Sequence, residues 1–397
     1  MAWQETCPVL ERYSFIEEML EGDESMAELC RRYGVSRKTG YKWRQRHELG
    51  GVAGLVNLPR VAKSLPHKTD VELERLIVKA KNARPTWGPK KLIKILQREH
   101  PHLVLPAPST AGEILKRHGL VEARPRRRLS RIWRSPPLRK VMAPNDTWTI
   151  DFKGQFRLKR GPYCYPLTLQ DNFSRYLIRC DALAGTHTAP AKTTLEAAFR
   201  EFGLPFAMRS DNGSPFAANR GSLGLSELSL WWLKLGIRPE RIDRGCPQQN
   251  GRHERMHRTL KAETTPQASL GGQQMSFDRF RCEFNEERPH EALHQEPPAS
   301  IYVPSPRAMP YRLPAFEYDS AYEVRRVARN GFVSYSGERY FLSEVLSTEN
   351  VGLLPLDDHS RELWIGVLPV GYLDLETKRF NPYEGRARRL EEALDIP

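Results

Sequence analysis

The hydrophobic residues between positions 9 and 47 recur with the spacing of short amphipathic helices. In the stretch SMAELCRRYGVSRKTGYKWRQRH, Ser25 and Ser36 each stand at a position typical of a helix N-cap, and Gly34 lies between them. The pattern therefore predicts three helices in this region. The third helix is rich in arginine and lysine and is closed by Trp43.

A helix, a glycine turn and a capped basic helix form the layout of a helix-turn-helix, in which the second helix enters the major groove of DNA. We expect such a DNA-binding domain over residues 1–60. Gly40 does not suit the interior of a recognition helix, where an apolar residue would normally pack. The alternative is a plain helical hairpin with a solvated basic face. The side chains expected to face the groove or its phosphates are Arg37, Lys38, Thr39, Tyr41, Lys42, Arg44 and Arg46.

A second run of helical periodicity covers residues 65–123. Pro85 and Pro89 separate its first two helices, and Ile114 and Leu115 mark the inward face of its third. We predict a second, winged-helix-like DNA-binding domain here. A purely structural three-helix domain is the alternative.

The stretch RPRRRLSRIWRSPPLRK lies in residues 124–142 and is too basic and too rich in proline to fold alone. We predict a linker in which Arg126, Arg127 and Arg128 lie along a phosphate backbone. The alternative is a solvated tether without a DNA contact.

Residues 143–305 change to an alternation of strands and helices. NDTWTIDFKGQFRL and YCYPLTLQDNFSRYLIRCDAL predict three strands of antiparallel type, and TAPAKTTLEAAFREFG predicts a helix. The stretches PFAMRSDNG and IRPERI predict two more strands. A helical pattern lies before and after each of them. This order predicts a mixed α/β sheet. Trp231 and Trp232 are expected in its core or at an interface.

After residue 314 the pattern changes to short strands with alternating apolar positions and a Ser-Gly turn. We predict a small β-barrel over residues 315–380, followed by a tail over residues 381–397. The apolar positions that indicate its interior are Phe332, Tyr340, Leu342, Val351, Leu353, Trp364 and Val367.

Composition adds a partner to this multidomain picture. The 397 residues include 62 Lys and Arg and have a formal net charge of +14, which favours a polyanion and makes double-stranded DNA the first partner to test. The six cysteines are far apart, which argues against structural zinc and against a disulfide framework. No apolar run is long enough for a membrane span and the N-terminus has no signal layout, so we expect a soluble, cytoplasmic protein.

Three carboxylates stand out against this background. Asp151 lies inside the apolar strand pattern WTIDF, where aspartate is unusual, and Asp211 follows the strand pattern FAMRS at an Asp-Asn-Gly turn. Glu254 is the one acid in CPQQNGRHERMHRTLK. Each has an ordinary interpretation alone: a buried hydrogen-bonded aspartate, a structural turn, and a helix-surface acid paired with Arg258.

Neighbouring strands could bring Asp151 and Asp211 together, and the following helix could add Glu254. Three adjacent carboxylates repel one another unless a cation neutralises them, and oxygen ligands favour Mg²⁺ or Mn²⁺. Two such ions can act on a phosphodiester. The cations around Glu254 would then hold the DNA backbone, and they are Arg252, His253, His257, Arg258 and Lys261.

The ordered set of SDNGSPF, CPQQNGRHERMHRTLK, FNEERPHEAL and PPASIY, with Asp151 upstream, closely resembles the integrase-core transposases of bacterial insertion sequences, which are relatives of retroviral integrases. The resemblance covers about residues 145–302. It implies an RNase H-like core in which Asp151, Asp211 and Glu254 bind two Mg²⁺ or Mn²⁺ ions. The implied activity is hydrolysis at transposon ends, followed by attack of the freed 3′-OH on target DNA.

The resemblance also assigns roles around the three acids. Asn212 and Gly213 match the turn after Asp211, and Asn250 and Gly251 match the start of the Glu254 helix. The positions it marks for DNA contact include His253 and Lys261, and we group with them Asn250, His257 and Arg258.

The sequence departs from retroviral integrases in two respects. It lacks a His/His/Cys/Cys zinc module, so the helix-turn-helix units must recognise the ends, and Glu254 follows Asp211 by 43 residues, which leaves room for an insert. The terminal strands resemble the β-barrel of phage-type transposases. We expect a homo-oligomer on DNA in the bacterial nucleoid. The alternatives are a non-catalytic DNA-binding regulator derived from a transposase and a general nuclease of the same fold.

Overall fold

The structure is a computed structural model, and it divides into two compact units, Met1–Lys68 and Thr69–Pro397. None of the helices in its described residues is long and apolar enough to cross a membrane. The residues that it describes are 7–58, 69–121, 138, 140–217, 224–243 and 245–383.

The first unit contains the three predicted helices, followed by a short 3₁₀ turn at Gly51–Leu55. Phe15 and Leu29 are buried at its centre with Trp43, which belongs to the buried face of the basic helix. The hydrophobic pattern therefore predicted the helices and their core correctly. The helices are α1 (Pro8–Glu21), α2 (Met26–Arg32) and α3 (Arg37–Gly50).

Both predicted N-caps are present in this unit. The Ser25 hydroxyl accepts a hydrogen bond from the Glu28 backbone N–H, and the Glu28 carboxylate accepts one from the Ser25 backbone N–H at 3.1 Å. The Ser36 hydroxyl accepts from the Thr39 N–H at 3.2 Å. These caps set the starts of α2 and α3 and so fix the length of the turn between them.

The second unit begins with three helices that share a core around Trp87, Leu92 and Ile114. Residues 69–121 contain no strand, so the β-hairpin that a winged-helix form requires does not lie within the described residues of this region. The helical prediction itself is confirmed. The helices are α4 (Val71–Ala83), α5 (Pro89–Glu99) and α6 (Pro108–Arg117).

Helix α5 packs against the segment that carries FNEERPHEAL. The Lys90 ammonium lies 2.8 Å from the Glu291 carboxylate, and the Lys94 ammonium lies 2.7 Å from the Glu296 carboxylate. The Lys90–Glu291 pair is solvent-exposed and the Lys94–Glu296 pair is half-buried, and pairs so near the surface contribute little to stability individually. They nevertheless occupy basic side chains of a helix that was expected to read DNA.

A mixed sheet forms the centre of the second unit, as predicted. Its order is β4-β3-β1-β5-β6, with β2 beside the start of β3. The pairs β1–β3 and β3–β4 are antiparallel, whereas β1–β5 and β5–β6 are parallel. The strands are β1 (Thr147–Phe152), β2 (Phe156–Arg157), β3 (Tyr163–Asp171), β4 (Leu177–Leu183), β5 (Ala207–Ser210) and β6 (Arg238–Arg241).

Helices cover both faces of this sheet. One face packs Trp148 and Ile150 against the helices α7 and α8, and the other packs the strands against α9 and α10. Because strand side chains alternate between faces, Thr149 and Asp151 point to the side of α9. The helices are α7 (Thr188–Phe202), α8 (Glu227–Lys234), α9 (Gly251–Glu263) and α10 (Leu270–Cys282).

The C-terminal region has the predicted strands, but the predicted closed barrel is not confirmed. Within the residues that are described, β7 and β13 form the two open edges of a five-stranded sheet ordered β13-β12-β11-β10-β7, and β8 and β9 form a separate hairpin. Val367, expected inside, is 58% exposed in the turn between β11 and β12. The strands are β7 (Glu323–Arg326), β8 (Phe332–Tyr335), β9 (Glu338–Phe341), β10 (Asn350–Asp357), β11 (Ser360–Ile365), β12 (Leu368–Asp374) and β13 (Arg379–Pro382).

Candidate active site

The first two carboxylates lie at the same end of two neighbouring parallel strands. In the β1–β5 register Thr147 pairs with Ala207, an offset of 60 residues, and Asp151 and Asp211 are separated by the same 60. Asp151 is the fifth residue of β1, and Asp211 directly follows β5. The register therefore places the two aspartates side by side at this edge of the sheet.

A tight turn orients the second of them. The backbone N–H of Gly213 donates to Asp211 Oδ1 at 3.0 Å, and the Asn212 side-chain amide donates to the Ile242 carbonyl at 2.8 Å. A Cβ on Gly213 would lie 3.0 Å from Asp211 Oδ2. Glycine at this position thus leaves the Asp211 carboxylate undisturbed, whereas a side chain would push against it.

Glu254 stands in the first turn of α9, on its exposed side. Burial first, and then the negative charges of Asp211 and Glu254, raise the pKa of Asp151 to about 7. The three carboxylates are thus close enough to act on one another. Within the described chain Glu254 has no ion-pair partner, so the expected alternative, a surface pair with Arg258, is not formed.

Two histidines of α9 form a buried polar cluster beneath Asp151. The hydroxyl of Thr168 lies 2.7 Å from His253 Nε2 and 2.6 Å from His257 Nε2, and the hydroxyl of Thr149 lies 2.6 Å from His253 Nδ1. His257 Nδ1 lies 3.8 Å from Asp151 Oδ2. One nitrogen or oxygen from each of Asp151, His253 and His257 fits within 4.8 Å, which is close enough for a metal ion.

The expectation that His253 and His257 hold the DNA backbone is therefore wrong. Their exposed fractions are 0% and 7%, because they occupy the face of α9 that packs on the sheet. Burial lowers the pKa of His253 to about 3, and burial with the nearby His253 and Lys153 lowers that of His257 to about 2. Both imidazoles are therefore neutral at physiological pH.

The other predicted DNA contacts on α9 divide into two groups. Arg258 and Lys261 are exposed on the same side as Glu254, whereas Asn250 is buried and its Oδ1 has no hydrogen-bond partner in the described residues. Arg252, which is exposed, donates to the carbonyl and side-chain oxygens of Asn172 at 2.9 and 3.1 Å. Arg126, Arg127 and Arg128 lie outside the described residues.

The predicted recognition helix α3 presents most of its polar side chains to solvent. The Arg46 guanidinium donates a hydrogen bond to the Val56 carbonyl at 2.6 Å, and Arg44 forms an ion pair with Glu48 at 2.7 Å. Thr39 is half-buried and bonds to the Ser36 hydroxyl. The exposed members of the predicted set are Arg37, Lys38, Tyr41, Lys42 and Arg44.

Sequence reasoning missed Thr149 and Thr168 at the site. A signal for Thr149 was present, because it lies two residues before Asp151 in a strand and so shares its face. For Thr168 only the β1–β3 register, in which it pairs with Asp151, identifies the position.

Comparison with known families agrees with the fold. One model described as an integrase core domain matches residues 142–247, and a second with that description matches residues 235–298. A helix-turn-helix domain model matches residues 11–63, and a homeodomain-like domain model matches residues 39–115. Residues 142–298 are thus similar to integrase core domains, and a region similar to a helix-turn-helix domain precedes them.

Its similar proteins include products of insertion elements and of retroviruses. An uncharacterised 31.7 kDa protein of insertion element IS407 from Burkholderia multivorans is 27% identical over 256 residues, which are 62% of this chain and 87% of that protein. An uncharacterised 39.2 kDa protein of IS476 from Xanthomonas euvesicatoria is 28% identical over 40% of this chain. The Gag-Pol polyprotein of avian reticuloendotheliosis virus is 34% identical over 30% of it. The matches span 44% of the IS476 protein and 10% of Gag-Pol.

Solved structures similar to the chain are retroviral. The HTLV-2 integrase catalytic core domain in complex with magnesium is 15% identical over 41% of this chain and all of that one, with a TM-score of 0.33. The simian T-cell lymphotropic virus intasome in complex with PP2A regulatory subunit B56 gamma is 16% identical over 72% of this chain and 95% of that one, with a TM-score of 0.36.

Proposed function

We propose that this protein is a DNA transposase that cleaves phosphodiester bonds at the ends of its element and joins the freed 3′-OH to target DNA. The observation that carries the proposal is the juxtaposition of Asp151, Asp211 and Glu254 at one edge of an integrase-core sheet. These carboxylates lack ion-pair partners of their own among the described residues, apart from the neutral His257 near Asp151. Three adjacent carboxylates without ion-pair partners repel one another, and an arrangement with such an electrostatic cost is typical of a functional site.

Divalent cations fit this site. Burial, followed by the negative charges of Asp211 and Glu254, raises the pKa of Asp151, and carboxylate oxygens are the ligands that Mg²⁺ and Mn²⁺ prefer. Asp151, Asp211 and Glu254 would hold the ions, two in the fullest form of the proposal. Bound ions would supply Lewis-acid stabilisation of charge on the phosphate oxygens.

The chain itself supplies orientation and charge. The Phe152 and Gly213 backbone N–H groups donate to the Asp151 and Asp211 carboxylates and hold them in place. Arg258 and Lys261 extend from the Glu254 side of α9, where they would bind the phosphates of the strand that reacts. The first-unit helix α3 would recognise the element's ends, and bringing two ends together would require an oligomer on the bacterial nucleoid.

The test is strand transfer by the full-length protein. A labelled duplex carrying the inverted repeat that flanks the gene is incubated with Mg²⁺ and a supercoiled plasmid. Asp151→Asn, Asp211→Asn and Glu254→Gln should each lower the joined product by roughly 10³-fold or more while end binding persists, because each removes a charged ligand and keeps the shape. Glu201→Gln, on the exposed side of α7, is the matched control and should join normally.

Each alternative has its own outcome. Tight end binding by the unmodified protein without cleavage would favour the non-catalytic regulator. Cleavage without preference for the ends and without joining would favour a general nuclease. Normal joining by any of the three carboxylate variants would refute the assignment of that residue.

A further inference from the structure

The Thr168 hydroxyl is the centre of the polar cluster beneath Asp151, and its hydrogen bonds determine where the histidine protons lie. The hydroxyl donates its single hydrogen to the Asp151 backbone carbonyl at 3.0 Å. It also lies 2.7 and 2.6 Å from the Nε2 atoms of His253 and His257. Because a hydroxyl has one hydrogen and two lone pairs, both imidazoles must donate an Nε2–H to it.

A neutral imidazole that carries its hydrogen on Nε2 has a lone pair on Nδ1. The Nδ1 of His253 is already hydrogen-bonded, since the Thr149 hydroxyl lies 2.6 Å away; that hydroxyl also lies 3.2 Å from the Gln170 carbonyl. The Nδ1 of His257 instead faces Asp151 Oδ2 at 3.8 Å, and no donor in the described residues reaches it. When Asp151 is ionised, two acceptors therefore face each other in a largely buried position.

Such a pair of acceptors is stabilised by a cation between them. Metal–ligand bonds of about 2.0–2.2 Å allow one divalent ion to join donor atoms roughly 3 to 4.3 Å apart, and 3.8 Å lies in that range. His253 cannot join them without losing one of its two hydrogen bonds, since both of its ring nitrogens are engaged. Of the three residues that cluster here, two are thus available as ligands.

We propose that His257 Nδ1 is a nitrogen ligand of a divalent ion held by Asp151, so that this centre has a mixed nitrogen and oxygen donor set and favours Mn²⁺ over Mg²⁺. The inference rests on the proposed function, in which Asp151 binds metal. It adds a ligand that is not one of the three carboxylates. Imidazole is a softer donor than the oxygens preferred by Mg²⁺, which is the reason for the expected preference.

The test uses the full-length protein with one equivalent of Mn²⁺ and pulsed electron paramagnetic resonance, which detects ¹⁴N of a coordinated imidazole. His257→Gln is the decisive variant, because glutamine can keep an N–H donor to Thr168 while removing the ring lone pair. His253→Gln is the matched control on the same helix face. Unfolding midpoints of both variants establish that they are folded.

A ¹⁴N coupling that is present in the unmodified protein, lost in His257→Gln and kept in His253→Gln would support the proposal. Calorimetry should then show the ratio of Mn²⁺ to Mg²⁺ affinity falling roughly tenfold in His257→Gln. The proposal would be overturned if the unmodified protein lacked the coupling. It would also be overturned if His257→Gln kept the coupling or if His253→Gln lost it. If the proposed function itself were wrong and Asp151 bound no metal, Asp151→Asn would bind Mn²⁺ as tightly as the unmodified protein. That result distinguishes failure of the proposed function from failure of the His257 assignment alone.

Discussion

Asp151 illustrates how a single residue is defined by its surroundings. It interrupts an apolar strand, and its side chain is only 22% exposed, so its charged form loses solvation. The negative charges of Asp211 and Glu254 add to this penalty, and together the effects raise its pKa to about 7. The same carboxylate would be well placed once a cation entered, because a positive charge removes the repulsion.

The raised pKa of Asp151 predicts a pH dependence of stability. The folded protein keeps a proton on Asp151 up to about pH 7 while the unfolded chain releases it near pH 4, so the free energy of unfolding falls as the pH rises between these values. Asp151→Asn should flatten this decline and raise stability at pH 8 by roughly 1–3 kcal/mol. Urea unfolding in the presence of a chelator at pH 5 and pH 8 measures the difference.

Added Mg²⁺ should stabilise the unmodified protein and not the variant, since bound cations favour the charged carboxylate. Parallel pH profiles for the two proteins without metal would contradict the interpretation.

Helices α3 and α9 each combine a buried face and a basic exposed face, and their buried faces are unusual. In α3 the buried face includes Gly40, where a Cβ would lie 2.6 Å from Cys30 Sγ and 3.1 Å from Phe15. Glycine, which sequence reasoning found awkward here, is what allows α2 and α3 to pack closely. In α9 the buried face is partly polar: His253 and His257 bond to the threonines of β1 and β3, whereas Met256 and Leu260 pack in a hydrophobic core.

Gly40→Ala should therefore destabilise the first unit by about 1–3 kcal/mol, because the new methyl group overlaps neighbouring side chains. The intrinsic helix propensity of alanine opposes this loss by up to about 1 kcal/mol. Hydrogen exchange of peptides from α2 and α3 reports the change. Gly50→Ala is the matched control, since a Cβ there meets no atom within 4 Å. Equal exchange rates in the two variants would show that close packing at Gly40 is unimportant.

At the scale of the second unit, helix α8 connects two hydrophobic cores. Trp231 and Trp232 pack into the core of the mixed sheet, as the sequence indicated. Leu230 and Leu233 instead pack into the core of the C-terminal sheet, and Lys234 pairs with Glu349 at 2.5 Å. The C-terminal sheet thus depends for part of its core on a helix of the integrase core.

Leu233→Ala should cost about 2–5 kcal/mol, because the site is 3% exposed and the cavity lies between two parts of the unit. Hydrogen exchange should accelerate in β10 to β12 and remain unchanged in α4 to α6. Leu356→Ala, at a residue of β10 that is 52% exposed, should change stability by less than about 0.5 kcal/mol. Unchanged exchange in β10 to β12 of Leu233→Ala would mean that the C-terminal sheet is stable without α8.

Local patterns in the sequence were sufficient to predict the helices of the first unit, the mixed sheet and the prominence of Asp151, Asp211 and Glu254. Helix periodicity, caps and strand alternation depend on residues a few positions apart, so the sequence contains them directly. The tertiary structure alone decided that His253 and His257 turn inward, that α5 pairs with Glu291 and Glu296, and that the C-terminal sheet stays open. These outcomes depend on contacts between distant residues, such as the 104 positions between Thr149 and His253, and no local pattern encodes which face of a helix such a contact selects.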